Sequence, residues 1–163
     1  MLVVSDTSPL ANLAILGHLD LLREQFAVVR LPSAVARELA ALRNRGAKLA
    51  LPAAVEAGWL KVVSVPPSAP FPSELRGLDA GETEALRLAL ASNADRVLMD
   101  EKDGRQRAAK LGLRTIGVIG ILIVARQSGR IKSLAVEIAR LRREAGFFVG
   151  RALEQQALAM VGE

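Results

Sequence analysis

The stretch "VVSDTSPLANLA" (3–14) decides how the chain is read. A short apolar run ends in Ser5 and the acidic Asp6, and a helix signal follows immediately. Ser8 is a good N-cap and Pro9 suits the first helical position, with Leu10, Leu13 and Ala14 forming a helical stripe. A buried strand therefore hands over to a helix, and a carboxylate sits at the junction. Asp6 is either a plain turn residue or one wall of a metal site.

The same alternation continues outward. "FAVVRL" (26–31) and "LKVVSV" (60–65) read as further buried strands. Between them lies a helix opened by Pro32 and Ser33, with Val35, Leu39 and Leu42 spaced i, i+4, i+7, and then a helical stretch over 47–57 despite Pro52. "LDAGETEALRLALASN" (78–93) begins a strong helix, and "DRVLMD" (95–100) is a strand ending in an acid. A helix over 103–111, a short strand at 114–117 and a helix through Ala125 follow. Two more helices cover 133–145 and 151–161. Repeated strand–helix alternation implies an α/β fold, with parallel strands and helices on both faces. The chain's one composition break, "PPSAPFPSE" (66–74), reads as a surface excursion, because two domains cut there would each be small. One domain over 1–163 is expected, with 130–163 as a C-terminal helical extension.

Composition limits the chemistry. There is no Cys and a single His, His18, so thiolate and His-based zinc sites are excluded. Any metal must be held by oxygen ligands, which suits Mg²⁺ or Mn²⁺. Four Phe, one Trp and no Tyr leave few aromatic platforms for stacking bases. The net charge of +5 suits a polyanionic partner. Met1 leads directly into a strand-like run, so no signal peptide is expected. The longest apolar stretch, "IGVIGILIVA" (116–125), is shorter than the ~20 residues of a membrane helix. These features together suggest a cytoplasmic protein.

Four acids stand out. In open parallel sheets ligands bind outside the carboxyl ends of the strands, where Asp6 and Asp100 are both expected. Glu38 falls about 60° from Val35, on the border of the apolar stripe. Glu82 stands at capping-box spacing from Asp79, yet projects in line with Leu86 on the apolar side of its helix. A buried acid is costly without a partner. Glu82 could therefore serve as cap, as ligand, or as both. Asp103, just after Asp100, is an alternative ligand or a helix cap. Clustered carboxylates repel one another, and a divalent cation reverses that and keeps them ionised. Such a cation stabilises charge on a phosphoryl oxygen, so phosphodiester hydrolysis needs neither His nor Cys. Lys102 and Arg105 (with Arg107 and Lys110) follow Asp100, and Arg43 (with Arg45 and Lys48) follows Glu38. All are placed to hold phosphates or to form solvated helix faces.

"VSDTSPLANLAILGHLDLLRE", "LPSAVARELA", "GLDAGETEALRLAL" and "RVLMDEKDGRQRAAKLGLRTIGVIGIL", in that order, resemble the PIN-domain superfamily, and the "AGFFVG" tail is also similar. The likeness is to its bacterial and archaeal branch of toxin-like, predicted nucleic-acid-binding proteins. The resemblance implies a Rossmann-like three-layer α/β/α fold around a mostly parallel sheet, and a metal-dependent ribonuclease site. Its acids would be Asp6, Glu38, Glu82 and Asp100 (or Asp103). Ser8 would support them, and Asp6, Glu82 and Asp100 would hold Mg²⁺ or Mn²⁺. It also implies RNA as substrate, a toxin role opposite a small DNA-binding antitoxin, and a homodimer. Met99 stands where the wider superfamily often has Thr. That departure motivates the alternative, an RNA-binding module of the same fold with weak or lost catalysis. An acid-edged phosphatase or receiver fits less well, since no second acid adjoins Asp6.

Overall fold

A computed structural model describes all residues, 1–163. Five short strands, β1 (Val3–Ser5), β2 (Val29–Pro32), β3 (Leu60–Val63), β4 (Arg96–Leu98) and β5 (Thr115–Ile116), form one parallel sheet in the order β3-β2-β1-β4-β5. The chain builds outward from β1 to β3, then crosses back to start β4 on the other side of β1. The strand order therefore reverses between β1 and β4, and the carboxyl ends of these two strands frame the crevice where such sheets bind ligands.

Side-chain alternation along the central strands sorts residues between two cores. Val3 and Leu98 join the larger apolar cluster, with α1 (Thr7–Leu16), α2 (Asp20–Phe26), α7 (Val118–Gln127) and α8 (Leu134–Ala145). Val4, Val97 and Met99 face the other way, onto α5 (Ala80–Ser92) and Ala108 of α6 (Lys102–Lys110). The result is the three-layer α/β arrangement expected from the alternation of elements. Helix α9 (Arg151–Met160) adds Ala157 to the larger cluster. The segment after residue 130 is thus packed onto the same core. Arg140 of α8 donates to the Leu16 carbonyl at 3.0 Å, and the Glu163 carboxylate accepts from the Leu134 and Ala135 N–H groups at 2.9 and 3.0 Å.

Several boundaries depart from the sequence pattern for identifiable reasons. Helix α1 begins at Thr7, with Asp6 rather than Ser8 at the cap position. The Ser8 hydroxyl is taken by Asp100, and Asp6 holds the extended backbone (φ −78°, ψ 174°) that a cap requires. Helix α4 (Arg45–Glu56) starts before residue 47 because the Asn44 side chain caps it, accepting from Ala47 N–H at 2.9 Å. Strand β4 ends at Leu98, two residues before Asp100, and β2 starts only at Val29. Helix α3 (Ser33–Ala40) is capped from outside: Glu84 of α5 accepts the Ala34 N–H at 2.8 Å. Glu84 and Arg87 lie on the outer side of α5, as its periodicity predicts, but both are engaged there. Arg87 donates to the Ala69 and Pro70 carbonyls and lies 5.2 Å from the Phe71 ring centroid, which pins the Pro-rich loop. The Glu84 contact fixes α3 against α5 and so sets Glu38 relative to Glu82.

Candidate active site

Asp6 sits one residue past β1 and is held there by its own backbone, whose N–H donates to the Leu98 carbonyl of β4 at 2.9 Å. Its side chain is only 4% exposed. Burial pushes its pKa from the ordinary 3.8 up to about 7. The Thr7 N–H at the positive end of α1 opposes that, while the charges of Asp79, Glu82 and Glu38 reinforce it. Asp6 thus shares one electrostatic field with Glu38 and Glu82, which the sequence separates by dozens of residues.

Glu82 serves its helix as well as the crevice. Its Oε2 accepts the Asp79 N–H at 3.2 Å while its own N–H donates to Asp79 Oδ1 at 2.8 Å, completing the capping box. The other oxygen, Oε1, turns toward Gly104 in the first turn of α6; a Cβ there would lie 2.9 Å from it. Desolvation is the largest cause of its raised pKa, and Asp79, Glu101 and Asp103 add to it. Glu38, half-buried on α3, accepts a short hydrogen bond from the Thr7 hydroxyl.

Asp100 is oriented differently. Its Oδ1 accepts the Val118 N–H at the start of α7 at 2.7 Å, and its Oδ2 accepts from Ser8 Oγ at 2.9 Å and from Asn12 Nδ2 at 3.3 Å. Asn12 also donates to Ser8 Oγ at 3.1 Å. Burial raises the Asp100 pKa, while these donors and the nearby Arg105 oppose the rise. The Ser8–Asn12 pair therefore links α1 to the acid after β4.

Three glycines make room for this arrangement. A Cβ on Gly81 would lie 2.7 Å from Glu38 Oε1, and one on Gly117 would lie 2.7 Å from Asp100 Oδ1. With Gly104 beside Glu82, three of the four acids lie against a helix start that carries no side chain. Asp103, the alternative fourth acid, points elsewhere; it is exposed and pairs with Arg107 at 3.0 Å. Arg107 is further committed to the Glu74 and Arg76 carbonyls, so it is a loop clamp rather than a free phosphate ligand. Lys102, Arg105 and Arg43 are exposed, and Arg105 stands beside Asp100.

The PIN-domain family description matches residues 2–163. The chain belongs to the PIN-domain family. No curated protein matches it. PIN domains are generally nucleases acting on nucleic acid and typically use divalent metals. No helix of this PIN domain is long and apolar enough to cross a membrane.

The donor set is all oxygen, the kind of ligand a hard cation takes. None of Asp6, Glu38, Glu82 or Asp100 forms an ion pair with a Lys, Arg or His. Two of them, Asp6 and Glu82, are nearly dehydrated and all-oxygen in character. As the side chains stand, no three acids are close enough together to hold one ion. Asp6 with Glu82 is the pair placed in a common field, while Asp100 is anchored by Ser8, Asn12 and the α7 N-terminus.

Sequence reasoning did not single out Asn12, Thr7 or the role of the glycines. For Asn12 a signal existed: a polar residue one helical turn after Ser8, inside an otherwise apolar helix.

Proposed function

We propose that this PIN domain is a metal-dependent endoribonuclease that hydrolyses RNA phosphodiester bonds, and that it is the toxin of a toxin–antitoxin pair. The observation that carries the reading is Asp6. It is a nearly buried carboxylate with no ion pair, in the field of Glu38 and Glu82, at the reversal point of a parallel sheet. A divalent cation (Mg²⁺ or Mn²⁺) would neutralise these charges and act as Lewis acid toward a phosphoryl oxygen. Asp6 and Glu82 would hold it, with Asp100 at the margin of the site. Ser8 and Asn12 hold Asp100 in place, Thr7 holds Glu38, and Arg105, Lys102 and Arg43 supply positive charge for the substrate backbone. Basic side chains on phosphates give affinity without reading sequence.

Purified protein is expected to cut single-stranded RNA with Mg²⁺ or Mn²⁺ and to stop when the metal is chelated. Asp6→Asn should lose the activity while keeping the far-UV circular dichroism of the parent. Cleavage by Asp6→Asn at the parent rate would refute the mechanism. The RNA-binding alternative is favoured by one observation, that no three acids converge as placed. It predicts salt-sensitive RNA binding with no metal-dependent cleavage. A homodimer and a small DNA-binding antitoxin complete the reading, and sedimentation velocity with and without the product of the adjacent gene tests both.

A further inference from the structure

A groove of about 290 Å³ leaves the acid rim between α7 and α9, and apart from Asp100 and Arg105 its lining is not used by the chemistry above. Asp100 and Arg105 stand at one end. Gly117, just before α7, and Gly120 within it border the groove, and Phe147, Leu153 and Met160 form an apolar wall. Leu153 and Met160 are 49% and 57% exposed, so the groove's wall presents apolar surface to an incoming ligand. Arg105 is the groove's one cationic side chain, and Gln156 offers an amide along the wall. The other charged group, Asp100, is already satisfied by Ser8, Asn12 and Val118.

We propose that this groove is a subsite for one nucleotide flanking the cleaved phosphate, with Arg105 on its phosphate and its base laid against Phe147, Leu153 and Met160. The inference rests on the ribonuclease reading, because it needs an RNA strand crossing the acid rim. Continuity with that rim favours a nucleotide: Asp100, which follows the strand paired with the one that ends before Asp6, lines the groove, so a strand with a phosphate at the rim has its next unit's place here. The charge order agrees, with the cation at the rim end and apolar surface farther along. The volume lies near the low end of small-molecule pockets, about 300–1,000 Å³, which suits a single base better than a larger ligand. Phe147, half-buried against the larger core, is the one aromatic side chain that lines the groove. Gln156 could hydrogen-bond a base edge, so the subsite should carry a base preference.

The test is binding of fluorescein-labelled eight-nucleotide RNA, followed by anisotropy in excess chelator so that nothing is cut. Leu153→Ser/Met160→Ser removes apolar wall without changing charge, and both positions are exposed enough to tolerate it. The double variant should bind about tenfold more weakly with an unchanged salt slope. Arg105→Gln should instead lower the salt slope by about one. Val136→Ser, on an exposed position of α8, should do neither. An abasic residue scanned along the RNA should weaken binding to the parent at one position and have no further effect there on the double variant. Parent protein that binds no RNA in chelator overturns the subsite, whose Arg105 and apolar wall need no metal, while the ribonuclease reading is tested apart from it by cleavage with Mg²⁺ or Mn²⁺. Parent protein that binds RNA while the double variant binds equally well overturns the subsite alone.

Discussion

Replacing Gly117 by Ala isolates what the helix starts do for the acids. Gly117 has φ −96° and ψ 176°, extended backbone that Ala adopts freely, so the substitution brings no backbone strain. The added Cβ would lie 2.7 Å from Asp100 Oδ1 and 3.0 Å from Arg105 Nη1. Asp100 must therefore move off the Val118 N–H, losing a charge-assisted hydrogen bond worth about 1.5–3 kcal/mol. Restricting the unfolded chain by Gly→Ala returns about 0.4–1 kcal/mol. The net expectation is a loss of about 1–2 kcal/mol, or a fall in Tm of about 2–8 °C for a chain of this size. Urea unfolding at neutral pH measures it, and a double-variant cycle identifies the cause. In an Asp100→Ala background the same Gly117→Ala change should be neutral or stabilising, because the carboxylate it displaces is gone. Equal destabilisation in both backgrounds would refute the reasoning.

Other expectations follow from the same geometry. In metal-free protein, the Asp6 carboxyl raised from 3.8 to about 7 leaves the fold indifferent to its charge below about pH 4. Stability then falls as pH rises from about 4 to 7, because the unfolded state ionises first, by up to about 4 kcal/mol in all, and is level above that. Asp6→Asn should therefore raise Tm at pH 8 and match the parent at pH 4. A Tm unaffected by the substitution at both pH values would count against that burial. Asp103→Asn should leave cleavage near the parent rate, since Asp103 is exposed and paired with Arg107, whereas Asp100→Asn should lower it at least tenfold; single-turnover assays separate the two. Glu163 has its pKa held down to about 2 by the Ala135 N–H, Arg126 and the Leu134 N–H. Its contribution is present above about pH 4.5 and is lost as pH falls toward 2. Glu163→Gln should lower Tm at pH 7, with the gap to the parent closing in acid; a gap of constant size would rule out the charge as its origin.

Much of the architecture was legible because it depends on local patterning. Apolar runs and helical spacings put the five strands and the helices that flank them close to where they lie, and their alternation required a parallel sheet with helices on both faces. The strand-end position of Asp6 and the inward direction of Glu82 follow from the same periodicities. The misplacements share one cause. Ser8 reads as a helix cap until Asp100, 92 residues away, takes its hydroxyl. Arg107 reads as a free basic residue until the loop carbonyls of Glu74 and Arg76 claim it.

By itself, the sequence determined the fold class, the lack of thiolate and multi-His donors, and the positions of Asp6, Glu82 and Asp100 just after strands or at a helix start, since side-chain period and residue type are properties of a local stretch of chain. Tertiary structure alone decided that Asp6, Glu38 and Glu82 share a field while Asp100 is turned to Ser8, Asn12 and the start of α7. It also decided that glycines at three helix starts leave space for the carboxylates. Those contacts join segments brought together only by the β1–β4 pairing and by α3 packing on α5, and no local pattern encodes which distant partner a side chain will meet.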